Sequence, residues 1–159
     1  MARRLALALL SALLLMACES REVEKDLTIV NVHTGWYDAG ILQGGQNKLV
    51  PSISLELQNV SGRDIASVQM QAVFRRVGEQ EAWGDHFVRA IDTSGLAAGA
   101  TTKPIMLRSP LGYTGGDSRL KMLQNAQFVD ANVTILGRHG RRTWAKMGEY
   151  QIDRQLLTE

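Results

Sequence analysis

One cysteine, Cys18, is the only thiol in the 159-residue chain, so neither an intramolecular disulfide nor a cysteine-built zinc site can form. Only three prolines are present; there is no Pro-rich or Ser-rich tract and no internal repeat. Beyond residue 16 no apolar run is long enough to cross a bilayer. Net charge is scarce too. The 18 Lys and Arg against 16 Asp and Glu owe their excess to Arg3 and Arg4, and without those two the chain is balanced, which removes the main support for a nucleic-acid partner. The motifs of common chemistries are missing as well: no Gly-x-Ser-x-Gly elbow, no His-Glu-x-x-His, and no Gly-Lys-Ser/Thr after the glycine-bearing segment Gly112-Tyr113-Thr114-Gly115-Gly116-Asp117. No cofactor and no metal is expected.

What is present begins with a leader. Arg3 and Arg4 precede an uncharged run over residues 5–16 that only Ser11 interrupts, and Ala17 is a small residue at a cleavage position, the pattern of a secretory signal peptide. As a helix that run spans roughly 18 Å at about 1.5 Å per residue, short of the roughly 30 Å hydrocarbon core, so a removable leader is the better reading than a permanent span. The ending Leu15-Met16-Ala17-Cys18 resembles the lipobox of bacterial lipoproteins. That resemblance implies a diacylglyceryl group on Cys18, cleavage just before it, and a third acyl chain on the new amino terminus. Two or three chains make attachment effectively permanent where a single one is marginal, each buried methylene being worth about 0.8 kcal/mol. It also implies a place at the periplasmic face of the cell envelope, and Glu19, in the position where Asp retains such proteins at the inner membrane, favours the outer membrane.

The domain organisation follows: residues 1–17 as signal peptide, 18–26 as a lipidated charged tether, 27–153 as one β-sandwich domain and 154–159 as a tail. The segment Glu19 to Asp26 is mostly charged, has almost nothing to bury, and at full extension reaches about 28 Å.

From Leu27 on, apolar and polar residues alternate in short runs separated by Gly, Asn, Asp and Ser clusters. Leu49, Pro51, Ile53, Leu55 and Leu57 share one parity, as do Val68, Met70, Ala72 and Phe74; the turn residues between them predict a hairpin. A strand from about Ala82 to Ile91 carries Gly84 as a candidate bulge. A short strand from Thr101 to Leu107 carries Pro104 and belongs at an edge. Ser109 to Ser118 is expected as a loop, Arg119 to Ala126 as one or two helical turns. Val129, Ala131, Val133 and Ile135 begin a closing pair of strands that ends with Trp144, Tyr150 and Ile152, joined through Gly137-Arg138-His139-Gly140-Arg141. With a first strand over 27–34 the count is about seven, which predicts an all-β, antiparallel immunoglobulin-like sandwich. The run from Ser52 to Leu107, with Asn59-Val60-Ser61-Gly62 and later Leu96-Ala97-Ala98-Gly99, resembles the extracytoplasmic immunoglobulin-like modules of the FxLYD type, although Phe74 is followed by Arg75, Arg76 and Val77 instead of Leu-Tyr-Asp.

Catalytic constellations are thin. Asp85-His86 is the one adjacent acid and imidazole pair, and neighbours on a strand face opposite ways. His33, His86 and His139 are far apart in sequence. The residues that point to binding are Trp36 and Tyr37, expected in the first connection beside Gly35 and Gly40, and Tyr113 in a glycine-bearing loop, the composition of contact loops at sandwich ends. Arg138, Arg141 and Arg142, with His139, Trp144 and Lys146, make a basic hairpin suited to anionic lipid or glycan. The expectation is a non-enzymatic, membrane-anchored protein with an envelope protein partner, hairpin recognition of a lipid or glycan the alternative and a small hydrolase a remote third.

Overall fold

The computed structural model describes residues 22–158; the leader and Cys18 lie outside them. The chain opens on one helical turn, α1 (Val23–Asp26), and continues through β1 (Leu27–Ile41), β2 (Asn47–Asn59), β3 (Val68–Arg76), β4 (Gly84–Ile91), β5 (Ile105–Arg108), β6 (Tyr113–Gly115), α2 (Arg119–Gln124), β7 (Ala131–His139) and β8 (Ala145–Gln151). Two antiparallel four-stranded sheets result. One runs β1-β2-β5, with β6 also paired to β2; the other runs β4-β3-β7-β8. Together they form an immunoglobulin-like β-sandwich, as the alternation predicts.

The inner parities supply the core. Leu49, Ile53, Leu55 and Leu57 of β2 face Val68, Met70 and Phe74 of β3 and Val133 and Ile135 of β7, all fully buried. These side chains carry most of the driving force, since burying one is worth roughly 1.5–3 kcal/mol. Pro51 sits inside the central strand β2, a place where proline normally costs a ladder bond. Its carbonyl accepts from Ser109 N–H at 3.0 Å, on the side where β5 has ended at Ser52↔Arg108 and β6 has not begun until Leu49↔Tyr113. The absent donor therefore faces a gap in the pairing.

Several expectations are corrected. β2 and β3 do not form a hairpin: β2 pairs with β1, β5 and β6, and β3 with β4 and β7. The connection over residues 60–67 crosses between sheets, held by the Ile65↔Leu96 bridge; identical alternation suits strands facing each other across a core as well as neighbours within one sheet. β1 does not stop at 34. It kinks at Asn31, a bulge with φ +51°, and runs on to Ile41. Gly35 is part of this strand because the C-terminal segment crosses it: a Cβ there would stand 2.9 Å from Leu157 Cβ and 3.0 Å from Gln155 O.

The irregularity in β4 falls at its end, between the pairs Val68↔Ile91 and Gln69↔Arg89, and Gly84 pairs regularly with Phe74. β6 occupies part of the expected loop, making eight strands. The expected tail is docked through Leu157 N–H to Trp36 O at 3.0 Å. Residues 23–26 are likewise no free tether: Val23 and Asp26 are buried. All strands and core residues described here lie between Val23 and Ile152.

Candidate functional site

The antiparallel registers sort the loops into two ends. At one, α1 leads into β1 beside the 60–67 connection, the segment after β4 and the β7–β8 hairpin; Leu27↔Asn59, Val68↔His139 and Val68↔Ile91 mark this end. At the other are the β1–β2 turn, the β3–β4 turn and the α2 region, marked by Ile41↔Asn47, Phe74↔Gly84 and Arg76↔Ala131. The first, where the described residues begin, is termed the tether end after the expected tether, and the second the distal end.

At the tether end Asp26 is the organising group. Its carboxylate accepts from Arg63 at 3.0 Å and lies 3.2 Å from His139 Nε2, linking α1 to the inter-sheet connection and to the end of β7. The hairpin that follows turns at Gly140, whose φ of +52° favours glycine, and is closed by Arg142 N–H to His139 O at 2.9 Å. A cavity of about 450 Å³ separates it from α1, lined by Glu22, Val23 and Glu24 on one side and by His139, Arg142, Thr143 and Trp144 on the other. Glu22, the first described residue, thus stands across this cavity from the hairpin.

Of the basic residues, Arg138 is committed: its Nε donates to Gln69 at 2.7 Å and its guanidinium lies 4.4 Å from the Trp144 ring. Trp144 meets Phe87 edge-on at 6.1 Å, so this trio covers the outer face of the second sheet. Lys146 is paired with Glu149, and that contact holds the Glu149 carboxyl below its usual range. Arg141 and Arg142 are exposed.

The aromatic candidates are placed otherwise than expected. Trp36 is on β1 and fully buried, so it cannot present a contact surface. It packs with Trp83, Tyr113 and Phe128 at centroid distances of 4.4 to 6.2 Å, closing the distal end of the core, and its Nε1 has no hydrogen-bond partner. Tyr37, also on β1, is half-buried under the Arg108 guanidinium, 3.4 Å from the ring centre. Tyr113 is half-buried on β6, its hydroxyl donating to Val129 O at 3.3 Å. Trp36 and Tyr113 thus cap the core, while Tyr37, on the opposite parity of β1, does not reach it.

Asp85 and His86 diverge: Asp85 accepts from Gln71 at 2.9 Å, while His86 Nδ1 accepts the Arg108 amide at 2.9 Å and staples β4 to β5. Among the described residues no group of three or more His, Asp or Glu is placed to hold a metal ion, and no helix is long and apolar enough to cross a membrane.

Two features escaped the sequence reading. Exposed large aliphatic residues collect at the distal end: Ile41, Leu42, Val77, Leu120 and Val129. The Arg119–Asp38 ion pair, 2.6 Å, ties α2 to the β1–β2 ribbon and brings Leu120 to that end. Beside them Tyr113, Met122 and Phe128 help line a cavity of about 290 Å³. Val60 is exposed at the tether end, and Leu111, between β5 and β6, and Leu156, bridged to Trp36, are exposed away from both ends. The second feature is Arg89, which β4 delivers next to Arg141. The Ile41-Leu42 pair before Gly44-Gly45 was the one visible signal; Arg89 gave none. No protein-family model matches the chain, and a search of curated proteins returned no significant relative.

Proposed function

We propose that this protein is a non-enzymatic lipoprotein of the bacterial cell envelope, acylated at Cys18 and held at the periplasmic face of a membrane, the outer one favoured by Glu19, where it binds a protein partner with the distal end of its sandwich. The observation that carries this reading is the separation of ends. An anchor at Cys18 precedes Glu22 by four residues, a reach of about 14 Å at full extension, so the tether end faces the bilayer and the aliphatic distal end faces away. Apolar residues gathered on one end and rimmed by charge mark a protein contact surface. Of the aromatics first expected to make that contact, Trp36 is taken up by the core, Tyr113 packs against it and Tyr37 lies under Arg108, so the aliphatic turns replace them. The separate partners of Asp85 and His86 support a role without turnover.

The test is site-specific photocrosslinking in cells. A crosslinker at Leu42 or Leu120 captures a discrete protein, and one at Val60 does not; in the same cells Cys18→Ser stays unprocessed and leaves the acylated membrane fraction. Equal capture from both ends, or normal processing of Cys18→Ser, contradicts the proposal.

A further inference from the structure

We propose that a notch at the tether end, walled by Arg89 and Arg141, binds the phosphate of an anionic phospholipid headgroup. The notch is a depression of about 190 Å³ lined by Ser67, Gln69, Arg89, Thr93, Gly140 and Arg141. That volume is below the range of drug-sized ligand sites and suits a phosphate group. Its lining residues carry two guanidinium groups, two hydroxyls and a side-chain amide, the donors that planar, bidentate recognition of phosphate uses.

Three observations converge on it. Among the described residues every other arginine except Arg142 is hydrogen-bonded, ion-paired or stacked on a ring. The side chains of Arg89, Arg141 and Arg142 make no hydrogen bond or ion pair among the described residues, and all three lie at the tether end. The acidic group that feels Arg89 is already engaged: Asp92 accepts from the hydroxyl and amide of Ser94, which hold its carboxyl low, with Arg89 contributing a smaller attraction.

Second, the notch is built rigidly. Ser67 adopts φ +58°, a costly conformation for a residue with a side chain that persists where the surroundings over-determine it. Here Ser67 N–H donates to Asp92 O at 2.9 Å and Gly140 N–H donates to Ser67 O at 2.7 Å, joining the β4 exit to the hairpin through one residue. Third, Gln69 on the floor holds Arg138 at 2.7 Å, so that the fixed Arg138–Trp144 stack supports the hairpin carrying Arg141.

The choice of a lipid over free phosphate rests on the proposed anchor at Cys18, which brings this end to within a short tether of the headgroups. Binding of the notch itself does not need the acyl chains. The probe is therefore the chain from residue 19 onward, which holds every strand and core residue described, without leader or acyl group. It is to cosediment with vesicles of phosphatidylglycerol and phosphatidylcholine and not with phosphatidylcholine alone. Replacing both arginines, Arg89→Gln with Arg141→Gln, is to lower the partition coefficient about thirtyfold, at roughly fivefold per cation lost near an anionic surface. Lys121→Gln, at the distal end, leaves it unchanged.

Thr93→Glu, at an exposed loop position, puts a carboxylate into the notch and weakens binding independently; it serves if the double variant loses its β-sheet circular dichroism. The assignment is overturned if the parent ignores anionic vesicles, if Lys121→Gln weakens sedimentation as much as the arginine pair, or if the arginine pair and Thr93→Glu both bind like the parent. Inorganic phosphate bound as tightly as vesicles makes this a small-anion site, and retention by an anionic polysaccharide without vesicle binding makes it a glycan site. Either result also overturns the headgroup proposal. Failure of the anchor reading would show separately, in the processing of Cys18→Ser.

Discussion

Asn59 shows how one residue fixes a connection. It is fully buried, and its amide nitrogen faces three carbonyls, Arg63 O at 2.7 Å, Leu96 O at 2.9 Å and Ala97 O at 3.1 Å, while its side-chain oxygen accepts from the amide and hydroxyl of Ser61 at 3.0 and 2.8 Å. The sequence marked Asn59-Val60-Ser61-Gly62 as turn chemistry, which is correct locally; that the side chain ties β2 to the segment after β4 is a tertiary fact. Asn59→Ala is expected to destabilise by about 2 kcal/mol through the acceptors left unpaired, and Asn59→Asp by about 3 kcal/mol or more, since a carboxylate would then face those same carbonyls. Urea midpoints of the three proteins give that order, and an Asp variant as stable as the parent would contradict the hydrogen-bond assignment. The same contrast applies to Trp36. Glycine neighbours and an aromatic side chain are common to binding loops and to core caps, and only the positions of Trp83, Tyr113 and Phe128 decide between them.

At the scale of elements, α2 is held to the β1–β2 ribbon by Asp38 and Arg119. The Arg119 guanidinium holds the Asp38 carboxyl below its ordinary value, helped by the Gly40 amide. Because the folded-state value is the lower one, the pair's contribution is fully present above the ordinary Asp range and is lost as pH falls through the depressed value. Both partners are partly exposed, so the effect is about 0.2–1 kcal/mol. Protection of the amides of residues 119–124, taken as exchange relative to the intrinsic rate at each pH, should fall on acidification through that range, and Arg119→Ala should remove the pH dependence of that protection. Among the elements, β2, β3 and β7 were legible because a half-buried strand needs strict alternation. The length of β1 was not. Gly35 and Gly40 look like turn residues, yet Gly35 makes room for the crossing C-terminal segment and Asn31 absorbs the bulge. The pairing of β2 and β3 was misjudged for a related reason: period two says which face is buried and leaves open what covers it.

For the molecule as a whole, orientation matters more than any single contact. On the anchor proposed above, burial of Val23 and Asp26 would leave only a short tether, so an acylated Cys18 would hold the tether end, the Arg89–Arg141 notch included, near the headgroups and turn Leu42 and Leu120 outward. A flexible Gly-Ser segment of about ten residues inserted before Glu22 adds roughly 17 Å of root-mean-square reach. It is expected to reduce lipid adducts from a photocrosslinker at Thr143 while leaving adducts from the acyl chains intact; undiminished capture at Thr143 would show that the notch, and not tether length, keeps this end on the membrane.

The sequence by itself determined the sandwich, its buried parities and the basic character of the hairpin, because alternation, turn chemistry and charge are local properties of the chain. The tertiary structure alone decided which strands share a sheet, that Trp36 and Tyr113 belong to the core, and that Arg89 stands beside Arg141. Residues on β4 and on the β7–β8 hairpin meet only when both flank β3, and no local pattern records which neighbours a strand will take.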